Sequence, residues 1–251
     1  NNLRSEYGDN GPFLNEPPVE WDVPTHAAFA AALDEAKQSF PMQVRPVING
    51  APVEGGKTIR STDPNQPDRV VANVACADTD IVKAAIAAAK NSFVDWSITP
   101  AQERAEFLFK AAQRLRDKRH AFAALLIYEG GKNWNEAHAD ICEAVDFLEF
   151  YGREMIRLSK PRIVSELPGE SSRLEYIPRG VGAVIAPWNF PLPISIGMIS
   201  AAVATGNTVV YKPASQTPAI GQAVYDLFSS VHLPDGVLNF VPGPGSEIGD
   251  A

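Results

Sequence analysis

The last third of the chain carries the pattern that most restricts its fold. Three short apolar runs, residues 182–186, 208–211 and 237–241, are separated by two helix-length stretches, 194–205 and 219–230. Short runs without polar alternation read as strands covered on both faces. Strand, helix, strand, helix, strand then implies right-handed crossovers and a doubly wound, parallel α/β sheet. The uncharged stretch 180–211 is long enough by count to span a membrane. Pro187, Pro191 and Pro193 crowd its middle and Gly206-Asn207 interrupts it, so two buried elements joined by turns account for it better.

Upstream, residues 1–45 form an extended lead-in bearing Pro12, Pro17, Pro18 and Pro24, with one helix expected over 27–39. A β-rich section follows. Val47-Ile48 precedes Asn49-Gly50, a hairpin turn signal because both residues tolerate positive φ. Strands are expected over 58–61 and 69–76, then helices over 80–93, from 100 to about 128, and over 133–158. Asp78 or Thr79 can cap the first helix. For the second, Thr99 caps, Pro100 takes the first helical position and Gln102 reaches back, with Gly130-Gly131 as the stop. Ile141, Val145, Leu148 and Ile156 give the third a partial apolar face. Beyond Pro161, residues 162–166 and 174–178 flank Pro168-Gly169 and read as a hairpin with a longer loop. The chain divides accordingly into a lead-in arm (1–45), a β and helical part (46–160), a hairpin (161–178) and the first part of a parallel sheet (179–251).

Composition removes several classes. Lys and Arg number 22 against 30 Asp and Glu, a formal charge of −8 that repels phosphate backbones, so no nucleic-acid partner is expected. Two cysteines, Cys76 and Cys142, make no disulfide framework and fit a reducing cytoplasm. The four histidines are scattered without metal-ligand spacing, so no metal site is expected. The polar, acidic start lacks the apolar core of a signal peptide. The chain of 251 residues begins at Asn1 rather than methionine and stops at Gly249-Asp250-Ala251, just after a glycine-rich stretch. Both ends read as cuts in a longer protein.

In doubly wound sheets, ligands bind beyond the carboxyl ends of the strands. Three segments fall there: Pro187-Trp188-Asn189-Phe190-Pro191, Lys212-Pro213-Ala214-Ser215, and 242–250. They are expected along one sheet edge. The first has no glycine between Ala186 and Ile196, so the usual phosphate turn is missing. The third has Gly243, Gly245 and Gly249, one residue longer than the usual fingerprint. It is either a plain glycine-rich connection or a place where a pyrophosphate approaches the backbone. Lys212 is either a solvated lysine or a donor to ribose hydroxyls or a phosphate. Asn189, between aromatics and prolines, is either a turn residue bonding its own backbone or an amide held to donate to an oxyanion. Cys76, read as far from these segments, and Cys142 are taken as small buried hydrophobes.

Three stretches together resemble the aldehyde dehydrogenase superfamily. They are Gly182-Ala-Val-Ile-Ala-Pro-Trp-Asn189-Phe-Pro191, Gly206-Asn-Thr-Val-Val-Tyr-Lys212-Pro-Ala-Ser215 and Leu233-Pro-Asp-Gly-Val-Leu-Asn-Phe-Val-Pro-Gly243. They occur in that family's order and spacing. The resemblance runs from about Pro46 to the last residue. The stretch from Gly131 to Met155 is similar to the branch that oxidises glutamate γ-semialdehyde. Pro12-Phe-Leu-Asn-Glu-Pro-Pro18 resembles the lead-in of that branch, which in some bifunctional proteins follows a flavin-dependent proline dehydrogenase domain.

The resemblance implies the aldehyde dehydrogenase fold, truncated within its cofactor domain, and an activity. In that family a cysteine thiolate attacks the aldehyde, hydride leaves to NAD, and a glutamate-activated water hydrolyses the thioester. Asn189 would hold the oxyanion. Ile185, Ala186, Pro187, Trp188, Lys212, Ala214, Ser215, Gly245 and Ile248 would line the cofactor, and Phe190 and Glu136 the aldehyde. Serine at 215, where many NAD-preferring relatives carry glutamate, leaves NADP open. FAD is implied only if a proline dehydrogenase domain precedes Asn1. The hairpin would mediate homo-oligomerisation. The nucleophile and base would lie beyond Ala251, so the isolated chain is expected to be inactive. The alternatives are a non-catalytic module of the same descent, an aldehyde dehydrogenase of other specificity, and an oxidoreductase of another dinucleotide-binding family, which the absent glycines disfavour.

Overall fold

The computed structural model describes residues 10–250; the first nine residues of the lead-in arm and Ala251 lie outside the described residues. The arm leads into α1 (Val23–Gln38), whose first turn is capped by the Asp22 carboxylate, accepting from the Thr25 N–H at 2.9 Å. Then come β1 (Met42–Val44), β2 (Val47–Ile48), β3 (Ala51–Pro52), β4 (Thr58–Asp63) and β5 (Gln66–Ala75). Four helices follow: α2 (Thr79–Ile98), α3 (Ala101–Asp117), α4 (Arg119–Tyr128) and α5 (Trp134–Leu158). β6 (Arg162–Leu167) and β7 (Glu170–Leu174) form the hairpin. The chain then runs through β8 (Val181–Ile185), α6 (Pro193–Ala204), β9 (Thr208–Lys212), α7 (Pro218–Ser230) and β10 (Leu238–Phe240) to a short α8 (Gly245–Ile248).

β8, β9 and β10 pair in parallel, as the three apolar runs require. Alternation along β9 divides the core. Val209 and Tyr211 enter the large cluster shared with α3 to α7, whereas Val210 enters a smaller one with Val82, Ala85 and Ala89 of α2. Helices therefore cover both faces of the sheet, which is why its strands carry no polar alternation.

The sheet order is β3-β2-β10-β9-β8, so the expected β-rich section is split. β2 and β3 form the Asn49-Gly50 hairpin, with φ of 50° and 77° at its two turn residues. β2 adds antiparallel to β10, and the Asn49 N–H donates to Asn239 Oδ1 at 2.9 Å. β1, β5 and β4 make a separate sheet, to which the last residues of the lead-in contribute β1.

Three local expectations are corrected. The 80–93 helix runs on to Ile98, so Thr99 ends α2 and its hydroxyl donates back to Asp95 O at 3.1 Å. Thr99 is thereby unavailable as a cap, and α3 starts at Ala101 with no side-chain cap bond. The helix expected to reach residue 128 is broken at Lys118 (φ −105°, ψ 15°). The break re-aims the nearly continuous apolar run from Phe122 to Leu126, all buried, which one straight amphipathic helix could not cover. Finally, Pro168-Gly169 is a two-residue turn rather than a longer loop, because Gly169 adopts φ 86°, and the second strand is therefore Glu170–Leu174 rather than 174–178.

α5 is the helix the sequence foretells best. Asn133 and Glu136 form a capping box, with the Glu136 N–H donating to Asn133 Oδ1 at 2.9 Å. The arm lies across α3 to α5, pinned by Glu16 to Arg116 (2.8 Å) and Arg119 (2.9 Å), and by Arg153 donating to Gly11 O at 3.1 Å. Glu16 is shared by two arginines, so the arm is held by a network rather than by isolated surface pairs.

Candidate functional site

The three segments do meet at one sheet edge. The Ala186 N–H donates to Lys212 O at 3.1 Å, and the Val241 N–H to Tyr211 O at 2.9 Å. The parallel ladder thus continues past the strand ends and aligns their exits. Gly243 O gathers the rest, 3.4 Å from both Lys212 Nζ and Ser215 Oγ. Behind it, the Ala77 N–H donates to Pro242 O at 2.7 Å. Cys76 therefore adjoins the third segment instead of lying far from it. Its thiol is buried and burial pushes it up, away from the thiolate form. Cys142 is half-buried on α5, with Sγ 3.7 Å from Pro17 O and 3.5 Å from His138 Nε2, packed beneath the arm.

Lys212 is half-buried, and burial lowers its affinity for a proton. Its only partners among the described residues are carbonyls, Pro213 O at 2.8 Å and Gly243 O. An ammonium without a carboxylate partner keeps donors for a ligand hydroxyl, and the long Ser215 bond is readily exchanged. A pocket of about 360 Å³ opens beside them, lined by Ile185, Lys212 and Ile248 and walled by Val82, Ile86 and Val181. Its apolar wall, with Lys212 and Lys90 as cationic donors, suits a flat base carrying a ribose. A second cavity of about 610 Å³ has Trp188 and Ser215 on its wall.

Asn189 is exposed, and its side chain makes no hydrogen bond among the described residues. A turn residue bonding its own backbone would show that bond, so the amide N–H groups remain free to donate outward. The turn that carries it is firmly held. Ser195 Oγ donates to Pro191 O, and the buried Tyr211 hydroxyl donates to Ser195 Oγ at 2.9 Å. Next to it, the Phe190 ring lies under Lys132 Nζ, 4.2 Å from the ring centroid. Lys132 in turn sits 2.9 Å from the Asp140 carboxylate, both side chains nearly buried. Burial pushes the Asp140 carboxyl up to about 6, against the pull of Lys132. Glu136 lies one helical turn before Asp140 and is exposed, with one oxygen accepting from the Asn133 N–H at 3.2 Å.

The sequence did not single out Lys132, Asp140, Glu129 or Ser61. Lys132 follows Gly130-Gly131, where the glycines read only as a helix stop. The one signal was Asp140, four residues after Glu136 on the same face of α5.

Glu129 ends α4 and is buried, and burial pushes its carboxyl up to about 7 despite three donors around it. Its folded-state affinity for a proton exceeds that of the unfolded chain. It therefore favours the fold fully below about pH 4.5, and that contribution is lost as pH rises through about 7. The expected loss across that window is roughly 3 kcal/mol. Urea titrations at pH 5 and pH 8 check it: wild type should lose stability at the higher pH and Glu129→Gln should lose much less. Equal slopes for the two proteins would contradict it.

The aldehyde dehydrogenase family matches residues 51–251. The 1-pyrroline-5-carboxylate dehydrogenase of Geobacillus thermodenitrificans is 41% identical over 240 residues, which cover 95% of this chain and 47% of that protein. Among solved structures, 1-pyrroline-5-carboxylate dehydrogenase from Thermus with bound NAD superposes with a TM-score of 0.92 at 39% identity, over 95% of this chain and 47% of that one. Proline utilization A from Bdellovibrio bacteriovorus, inactivated by N-propargylglycine, superposes with a TM-score of 0.93 at 40% identity, over 95% of this chain and 25% of that one. The chain spans about half the length of the curated relatives it matches.

Proposed function

The chain belongs to the aldehyde dehydrogenase family, and we propose that it forms the cofactor-side half of an enzyme oxidising L-glutamate γ-semialdehyde to glutamate with NAD. The observation that carries this reading is the convergence at one sheet edge of a turn bearing a free amide, Asn189, and a cation without a carboxylate partner, Lys212, which lines an apolar pocket. The identity of about two residues in five to 1-pyrroline-5-carboxylate dehydrogenases supports the substrate.

Lys212 and Ser215 are assigned to ribose hydroxyls. Ile185, Ala186, Pro187, Trp188, Ala214, Gly245 and Ile248 are assigned to the walls around base and pyrophosphate. NAD bound there supplies a hydride acceptor. The half-buried ammonium and the apolar wall fit such a group. Asn189 donates to the oxygen that gains charge when a thiolate adds to the aldehyde. Phe190, fixed under Lys132, excludes water from that carbon, and Glu136 faces the substrate's charged end. The thiolate and the base are assigned to the half of the relatives' length that this chain does not span. The exposed hairpin, with Ile163, Val164 and Leu167 on its surface, is assigned to contact between copies of the chain. No described helix is long and apolar enough to cross a membrane. With both cysteines free, a reducing cytoplasm is the proposed location.

The test is a steady-state comparison on the full-length protein. Glutamate γ-semialdehyde should give a kcat/KM about 10²-fold or more above a linear aliphatic aldehyde of similar length, because charged ends paired in a site discriminate strongly. Preference for the aliphatic aldehyde would sink the substrate assignment while leaving the family intact.

A further inference from the structure

Glu129 stands outside every role given so far, yet it joins three elements. It is 4% exposed. Its Oε1 accepts from the Ser61 hydroxyl of β4 at 2.6 Å and from the Ala219 N–H at 3.0 Å. Its Oε2 accepts from the Ile220 N–H at 2.8 Å. Ala219 and Ile220 lie in the first turn of α7, where backbone donors have no intrahelical acceptor. The residue in position to cap α7 is Thr217, which makes no cap bond, and its buried Oγ1 has no partner. A carboxylate distant in sequence therefore does what a local cap normally does.

The consequence lies one turn upstream. Residues 213–217 link the end of β9 to the start of α7. β9 fixes one end, and Glu129 fixes the other. Between them, the Thr217 N–H donates to Ala214 O at 3.2 Å, and Ser215 reaches Gly243 O only at 3.4 Å. Lys212 Nζ also donates to Pro213 O at 2.8 Å, and Ser61 Oγ reaches Gln216 O at 3.5 Å, so among the described residues the turn beyond its first residue is tied only by long bonds and by the Glu129 cap. Glu129 and Ser61 also line the same 610 Å³ cavity as Trp188 and Ser215.

We propose that Glu129 is a positioning residue for the cofactor: by capping α7 from β4 and α4, it sets the place of the 213–217 turn and of the Ser215 hydroxyl. This rests on the assignment of that turn to NAD. Both Glu129 oxygens are taken up by protein donors, so its assigned role is to hold the turn, and its effect falls on cofactor binding and not on the chemical step.

The full-length protein is assayed with NAD as the probe. Glu129→Gln keeps the shape but turns an NH₂ toward a backbone N–H. It should raise the Kd and KM for NAD roughly tenfold while leaving kcat at saturating NAD within about twofold. Ser61→Ala, which removes one of the three donors, should shift the same constants in the same direction by less. Leu148→Ala, in the core of α5, is the control for lost stability. It should destabilise the protein without moving the NAD constants. Unchanged NAD constants in Glu129→Gln, or an equal rise in Leu148→Ala, would overturn the proposal. Wild-type protein that binds no NAD would instead overturn the cofactor assignment beneath it, and this proposal with it.

Discussion

Asn189→Ala in the full-length protein should lower kcat about 10²-fold, with the KM for NAD nearly unchanged. A preorganised donor contributes because its dipole already points where charge will develop, so no reorganisation is needed during the reaction. Asn189 is proposed as such a donor. Its amide has no internal partner to give up, and its turn is tethered at Pro191 O by Ser195, itself bonded by Tyr211. Alanine removes the donor and leaves the tether. Single-turnover measurement of the acylation step, at saturating NAD, is the direct check. A kcat within twofold of wild type would remove Asn189 from the mechanism.

Lys132→Met should cost about 3–5 kcal/mol of stability near pH 8, because it strands the Asp140 carboxylate in a site that water does not reach. The Lys132 and Asp140 side chains are 11% and 3% exposed. Removing one partner of such a pair leaves the full desolvation penalty of the other. Asp140 already holds its proton more tightly than the unfolded chain does, so the fold is favoured below about pH 3.8 and that contribution is lost as pH rises through about 6. Without Lys132 that window moves to higher pH. The deficit should therefore shrink at pH 5, where the stranded carboxyl takes up a proton. The double variant Lys132→Met/Asp140→Asn should recover part of the loss at pH 8. Denaturant unfolding at both pH values reads all three outcomes. A deficit below 1 kcal/mol at pH 8 would mean that the pair contributes little to the fold.

Much of the parallel sheet is legible in the chain, because burial on both faces forces uninterrupted apolar strands and crossover helices force parallel pairing. The Asn49-Gly50 turn and the α5 start were legible for a similar reason: each is decided by a few adjacent residues. The failures have a common cause. Thr99 has the right chemistry to cap α3, but α2 outruns its expected end and takes it. Val47-Ile48 looks like a neighbour of the strands that follow it, but joins β10 some 190 residues away through Asn49 and Asn239.

The sequence by itself determined the order of strands and helices in the parallel sheet, the three segments beyond the strand ends, and the resemblance that those segments carry. Each is a local pattern, fixed by side-chain periodicity or by the φ and ψ that glycine, proline and asparagine allow. Only the tertiary structure decided what surrounds those segments. It set Lys132 over Phe190, stacked Tyr211 and Ser195 beneath the Asn189 turn, and brought the Glu129 carboxylate to a helix that starts 89 residues later. A buried charge or hydroxyl must find a partner, and that partner is chosen by which elements pack together, not by proximity along the chain.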